Sequence, residues 1–182
     1  MRKRGLRQFF TAMVSVGMLL GTAPQLARAG DEWIGKAAPP FEMKDLDGNL
    51  LELTDLLGRN KVVWLNFWGL RCAPCILELP ALETIYRQYA PKGLVMIAVD
   101  ADGVDAQSLR EQIEARDNLK PLRNSFPVAP DQEFAVIDAY GLMGAPLNVM
   151  IDKKGVIRFR HEGYEEGDEK KYVEILEGLL GE

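Results

Sequence analysis

Cysteine and histidine are scarce in this chain: 182 residues hold two of the first and one of the second. A structural zinc site needs about four ligands, and this chain offers too few thiolates and imidazoles to build one. Both cysteines, Cys72 and Cys75, fall within one helical turn, so no disulfide staples distant elements together. Acidic residues are absent from the first 29 positions, which contain Arg2, Lys3, Arg4, Arg7 and Arg28. The rest of the chain then sets 17 basic against 27 acidic residues, a net of −10. Such a surface repels phosphate backbones and argues against nucleic acid or an anionic membrane surface as a partner. Internal repeats and low-complexity stretches are also missing, and 47% hydrophobic with 27% charged residues suits one packed domain.

What the N-terminus does have is a layout. The basic cluster is followed by an apolar run from Phe9 to Ala23 and then by Ala27-Arg28-Ala29, ahead of the first acidic residues, Asp31 and Glu32. This is the pattern of a secretory signal, and cleavage is expected after Ala29, leaving 30–182 as the mature domain. An uncleaved anchor is the competing reading, but the run is shorter than the roughly 20 residues that span a bilayer. With no cysteine near the cut, a lipid anchor has no attachment point. Export places the domain in the periplasm or another extracytoplasmic, oxidising compartment.

Along the mature chain, residues 41–53 read as a hairpin turning at Asp47-Gly48, and Thr54–Leu57 as one helical turn closed by Gly58. Lys61–Trp68 (KVVWLNFW) and Leu94–Val99 (LVMIAV) are continuous apolar runs, the signature of strands buried on both faces. Between them a helix starts near Cys72 and carries Leu77, Leu82, Ile85, Tyr86 and Tyr89 inward, with Pro80 expected to kink it. Ser108 with Glu111 forms a capping box for a helix to about Arg116, and Phe126–Ala129 reads as a short strand. Gln132–Tyr140 reads as a helix stopped by Gly141. Asn148–Ile151 and Val156–Arg160 flank a turn and form an antiparallel pair, and Asp168 caps a last amphipathic helix to Leu180. This order of elements predicts an α/β fold with a central mixed sheet.

Cys72-Ala73-Pro74-Cys75 falls where a buried strand gives way to a helix. The free N–H groups and dipole at that helix start favour a thiolate at Cys72, and Cys75, one turn further, is within reach of a mixed disulfide formed on Cys72. The pair therefore predicts a reversible two-electron dithiol. Haem attachment would require His after Cys75, where Ile76 stands. A purely structural disulfide closing so short a loop would add little stability.

These residues resemble a known family. Asn66-Phe67-Trp68 leading into Cys72-Ala73-Pro74-Cys75, then Glu78-Leu79-Pro80, residues 140–146 (YGLMGAP) and residues 149–155 (VMIDKKG) are similar to the TlpA/ResA-type thiol-disulfide oxidoreductases of the thioredoxin superfamily. The resemblance covers the mature chain, including the N-terminal hairpin and an insertion after the second core strand. It implies a thioredoxin-like fold and a disulfide reductase of other exported proteins, recharged by a membrane thiol donor, with apocytochrome or copper-site cysteines among its substrates. No cofactor or metal is implied. Carried over by position, Cys72 is the attacking thiolate and Cys75 the resolving thiol. Pro146 is a cis-proline facing them, and Ala145 lends backbone groups to an extended substrate segment. Glu78 relays a proton to or from Cys75, the alternative being a solvated surface carboxylate.

Two positions depart from the pattern: Asn66 replaces the buried Asp of cytosolic thioredoxins, and Arg71 replaces the family's Trp before the first cysteine, altering the surface that meets the substrate. Trp64 and Trp68 are expected in the core and His161 on the surface of an edge strand. The acidic group Glu165, Glu166, Asp168 and Glu169 reads as a solvated helix start. Three rival functions remain at this point: an oxidant or isomerase using the same dithiol, a thioredoxin-fold binding or chaperone module with an idle disulfide, and a peroxidase. The last wants Pro-x-x-x-Thr-x-x-Cys, where Leu65 and Gly69 stand instead.

Overall fold

Seven consecutive buried residues, Val62–Trp68, make the central strand β3, and their alternation sends side chains into two separate cores. The computed structural model describes residues 31–182, so the expected signal segment and its cleavage point lie outside the described residues. A hairpin of β1 (Glu42–Lys44) and β2 (Leu50–Glu52) leads into α1 (Leu53–Arg59). Then come β3, α2 (Ala73–Tyr89), β4 (Leu94–Asp100), α3 (Ala106–Ala115), α4 (Pro121–Asn124) and β5 (Val128–Pro130). The chain finishes with α5 (Ala135–Ala139), β6 (Leu147–Asp152), β7 (Ile157–Glu162) and α6 (Asp168–Leu180).

The five-stranded sheet has the order β5-β4-β3-β6-β7, with β3, β4 and β5 parallel and β6 and β7 antiparallel to their neighbours. This is the expected mixed sheet flanked by helices. Helices α2, α3, α4 and α6 cover one face with Trp64, Trp68, Met96 and Met150. The hairpin, α1 and α5 cover the other with Leu65, Phe67, Ile97 and Val149. Among the described residues no helix is long and apolar enough to cross a membrane.

Four local readings are corrected. Leu77 points outward, 70% exposed, and the buried stripe of α2 runs instead through Cys75, Glu78, Leu79, Leu82, Ile85 and Tyr89. Helix α3 is capped by Asp105, whose carboxylate accepts from the Ser108 N–H at 3.0 Å and the Ser108 hydroxyl at 2.7 Å, so Ser108 is inside the helix. Helix α5 starts only at Ala135, because Phe134 is left-handed (φ 57°) and the buried Asp131 carboxylate accepts from the Val136 and Ile137 N–H groups at 2.9 and 2.8 Å. Asp168 is the first residue of α6 and not its cap, which is Gly167. Pro80 lies inside α2, which continues through it to Tyr89.

Candidate active site

The apolar run of β3 ends at Trp68 because Gly69 and Leu70 must turn the chain into α2. Asp102, on the loop after β4, pins that turn: its Oδ2 accepts from the Leu70 N–H at 2.5 Å, and a Cβ on Gly69 would come within 3.3 Å of its carboxylate oxygens. The turn delivers Cys72 to the N-cap position of α2, in extended conformation, with Pro74 in the first helical turn. Its Sγ accepts from the Cys75 N–H at 3.2 Å. No acidic residue occupies the first turn, so the helix dipole at Cys72 is not offset by a nearby side-chain charge on the helix.

Cys72 and Cys75 form a disulfide, with Cα atoms 5.2 Å apart. Cys72 is partly exposed and Cys75 is buried, so only the first sulfur faces incoming molecules. Strand β6 places its leading loop against this pair, since Leu147 is in register with Phe67. The Ala145-Pro146 bond is cis, as expected, and the Ala145 carbonyl oxygen lies 3.4 Å from the Cys72 Sγ.

Glu78 is fully buried, not a solvated surface carboxylate. It lies one helical turn beyond Cys75 on the same face, where Cβ atoms are about 5–6 Å apart. Its Oε2 accepts from Asn66 Nδ2 at 3.0 Å and its Oε1 from Asn148 Nδ2 at 2.7 Å. Asn66 and Asn148 are register partners across β3 and β6, and Asn148 Oδ1 accepts from both Asn66 Nδ2 (3.0 Å) and Trp64 Nε1 (2.9 Å). Burial pushes the Glu78 carboxyl from 4.5 up to about 7; hydrogen bonds from Tyr172, Asn148 and Asn66 oppose this, and the charge of Asp168 adds to it. A group balanced near neutral pH can both accept and release a proton there.

Arg71 is exposed beside Cys72 and makes no hydrogen bond or ion pair among the described residues. It lines a cleft of about 290 Å³ together with Leu70, Asp102, Val104, Gln112 and Arg116. A larger cleft, about 720 Å³, lies between the hairpin turn, α3 and the segment before β5, and includes none of these site residues. Trp64 and Trp68 are buried as expected. His161 sits on edge strand β7 but is half-buried: its Nε2 is 3.0 Å from Asp168 Oδ2, and its ring stacks on Phe159 with centroids 6.0 Å apart. Asp168 is thus tied to His161 instead of standing free in an acidic, solvated helix start.

Asn148 and Tyr172 were not singled out from the sequence. Asn148 had a signal, a lone amide in an apolar run matching the lone Asn66 in another. Tyr172 had none, since it reads as one more apolar position of an amphipathic helix.

Residues 34–160 match the AhpC/TSA family. A relative named Thiol-disulfide oxidoreductase ResA from Bacillus thuringiensis subsp. konkukian is 40% identical over 124 residues, 68% of this chain and 66% of that protein, so the chain spans just under two thirds of its length. The ResA of Halalkalibacterium halodurans is 33% identical over 152 residues, 83% of this chain and 78% of that protein. Among solved structures, one described as a thiol:disulfide interchange protein DsbE from Chlorobium tepidum is similar with a TM-score of 0.69 at 26% identity, covering 81% of this chain and 98% of that one. The exposed lipoprotein thioredoxin of Streptococcus pneumoniae is similar with a TM-score of 0.62 at 25% identity, covering 79% and 100%.

Proposed function

The chain belongs to the AhpC/TSA family, and from that membership we propose that it is an exported thiol-disulfide oxidoreductase that reduces disulfides of other exported proteins. The observation that carries this reading is the layering of the site: a partly exposed Cys72 at a helix start, a buried Cys75 bonded to it, and a buried Glu78 one turn further. In the reduced protein, the Cys72 thiolate attacks one sulfur of a partner disulfide and forms a mixed disulfide, releasing the partner's other sulfur as a thiolate. Cys75 gives its proton to Glu78 and attacks Cys72, so the second partner thiolate leaves and the Cys72–Cys75 disulfide forms. Two electrons have then passed to the partner, and a membrane thiol donor returns them. Cysteine side chains alone carry the electrons, and no cofactor enters.

Ala145 offers backbone groups to an extended segment of the partner, next to Pro146, and Arg71 meets the partner beside the reacting sulfur. The basic, apolar and Ala-x-Ala layout of residues 1–29 supports a periplasmic or other extracytoplasmic location. Apocytochrome cysteines are among its proposed substrates, as the resemblance of its motifs to the TlpA/ResA type implies. The peroxidase reading lacks its Pro and Thr, since Leu65 and Gly69 stand at those positions. The test is non-reducing electrophoresis of the exported Cys75→Ser variant, which accumulates mixed disulfides through Cys72 while Cys72→Ser accumulates none. Adducts on Cys72→Ser but not on Cys75→Ser would reverse the roles, and none on either would remove the function.

A further inference from the structure

Tyr172 is completely buried in α6, wedged among three rings: Trp64 at 5.5 Å, Phe159 at 5.6 Å and His161 at 5.8 Å between centroids. Its hydroxyl lies 3.4 Å from Asn148 Nδ2, the same nitrogen that donates to Glu78 Oε1 at 2.7 Å. The amide cannot turn over without losing its bonds, because its Oδ1 already accepts from Trp64 and Asn66. The phenol oxygen therefore accepts from Asn148, and its own hydrogen is left to find an acceptor. Glu78 is the anionic acceptor beside it.

We propose that Tyr172 is a positioning residue for proton exchange at Glu78, its hydroxyl donating to the ionised carboxylate and so setting how readily Glu78 takes the proton of Cys75. This rests on the proton exchange between Cys75 and Glu78 proposed above. In that step the S–H bond of Cys75 breaks and an O–H bond forms on Glu78, with no change in electron count. The groups facing Glu78 are Cys75 on its own helix, Asn66 on β3, Asn148 on β6, Tyr164 on the loop before α6, and Tyr172 and Asp168 on α6. His161, on β7, acts at one remove through its contact with Asp168. Helix α6 thus brings two opposed influences to the carboxylate: the hydroxyl of Tyr172 favours the ionised form and the charge of Asp168 disfavours it.

The experiment follows the Glu78 side-chain carboxyl by carbon NMR, and the pH profile of single-turnover reduction of a small aromatic disulfide. Wild type, Glu78→Gln, Tyr172→Phe and a protein carrying 3-fluorotyrosine at position 172 are compared. The wild-type midpoint is expected near 7. Tyr172→Phe removes a hydrogen bond to a charged group and moves the midpoint up by about one unit, while fluorotyrosine, a stronger donor of nearly the same shape, moves it down. A midpoint unmoved by fluorotyrosine in a folded protein overturns the proposal, and this variant decides alone if Tyr172→Phe fails to fold. If Glu78→Gln leaves the pH profile of the reaction in place, it is the underlying role of Glu78 that fails, which separates the two ideas.

Discussion

Replacing Glu78 with Gln should change how stability depends on pH more than it changes stability at any one pH. A carboxyl raised from 4.5 to about 7 in the folded protein binds its proton more tightly there than in the unfolded chain. Its stabilising contribution is therefore fully present below about pH 4.5 and is lost as pH rises through 7. The size follows from the shift: two and a half units at 1.36 kcal/mol each give about 3 kcal/mol, most of it lost between pH 5 and 7. Glutamine does not titrate. Its amide also brings a donor against either Asn66 Nδ2 or Asn148 Nδ2, a conflict of about 1–3 kcal/mol that is the same at every pH. The stability difference, wild type minus Glu78→Gln, should thus fall by about 3 kcal/mol between pH 4 and 8 on top of a constant offset. Urea unfolding of the oxidised proteins across this range measures it, and the disulfide keeps cysteine titration out of the comparison. A difference that stays flat within about 0.5 kcal/mol, which is well inside the predicted change, would refute a buried Glu78 titrating near neutrality.

Arg71→Trp removes a cation next to the attacking sulfur, so alkylation of reduced Cys72 at pH 6 and low salt should slow by about two- to ten-fold and lose much of its salt dependence. An unchanged rate would leave Arg71 with a docking role only. Asp131→Ala strands the buried N–H groups of Val136 and Ile137 and should cost about 2–4 kcal/mol in urea unfolding, with Asp131→Asn milder because one acceptor oxygen remains. Equal stability of the two variants would mean that this carboxylate does not hold the start of α5.

The sheet and the dithiol were legible in the sequence because continuous apolar runs and the Cys-x-x-Cys spacing at a strand-to-helix junction admit few other arrangements. The burial of Glu78 was harder to see. A stripe through Leu77 looks apolar, yet positions 75, 78, 79, 82, 85 and 89 follow the helical spacing of three and four, and that stripe includes the glutamate. A charged residue on the inward stripe was the signal, masked by the leucine beside it. The starts of α3 and α5 were misplaced by three residues and that of α6 by one, because several residues in each stretch are competent caps. Tertiary contacts chose among them: the carboxylate of Asp131 reaches past three residues to hold α5, and Asp168 is drawn to His161. The partnership of Tyr172 with Glu78, 94 positions apart in sequence, exists only once α6 packs on β3 and β6.

The reduction potential of the Cys72–Cys75 pair tests the central claim most directly. Equilibration of the protein with dithiothreitol redox buffers, followed by trapping of free thiols, should give a two-electron couple near thioredoxin's roughly −270 mV, as a reductant of exported disulfides requires. A potential near the oxidant value of about −120 mV, or a disulfide that never exchanges with the buffer, would contradict it.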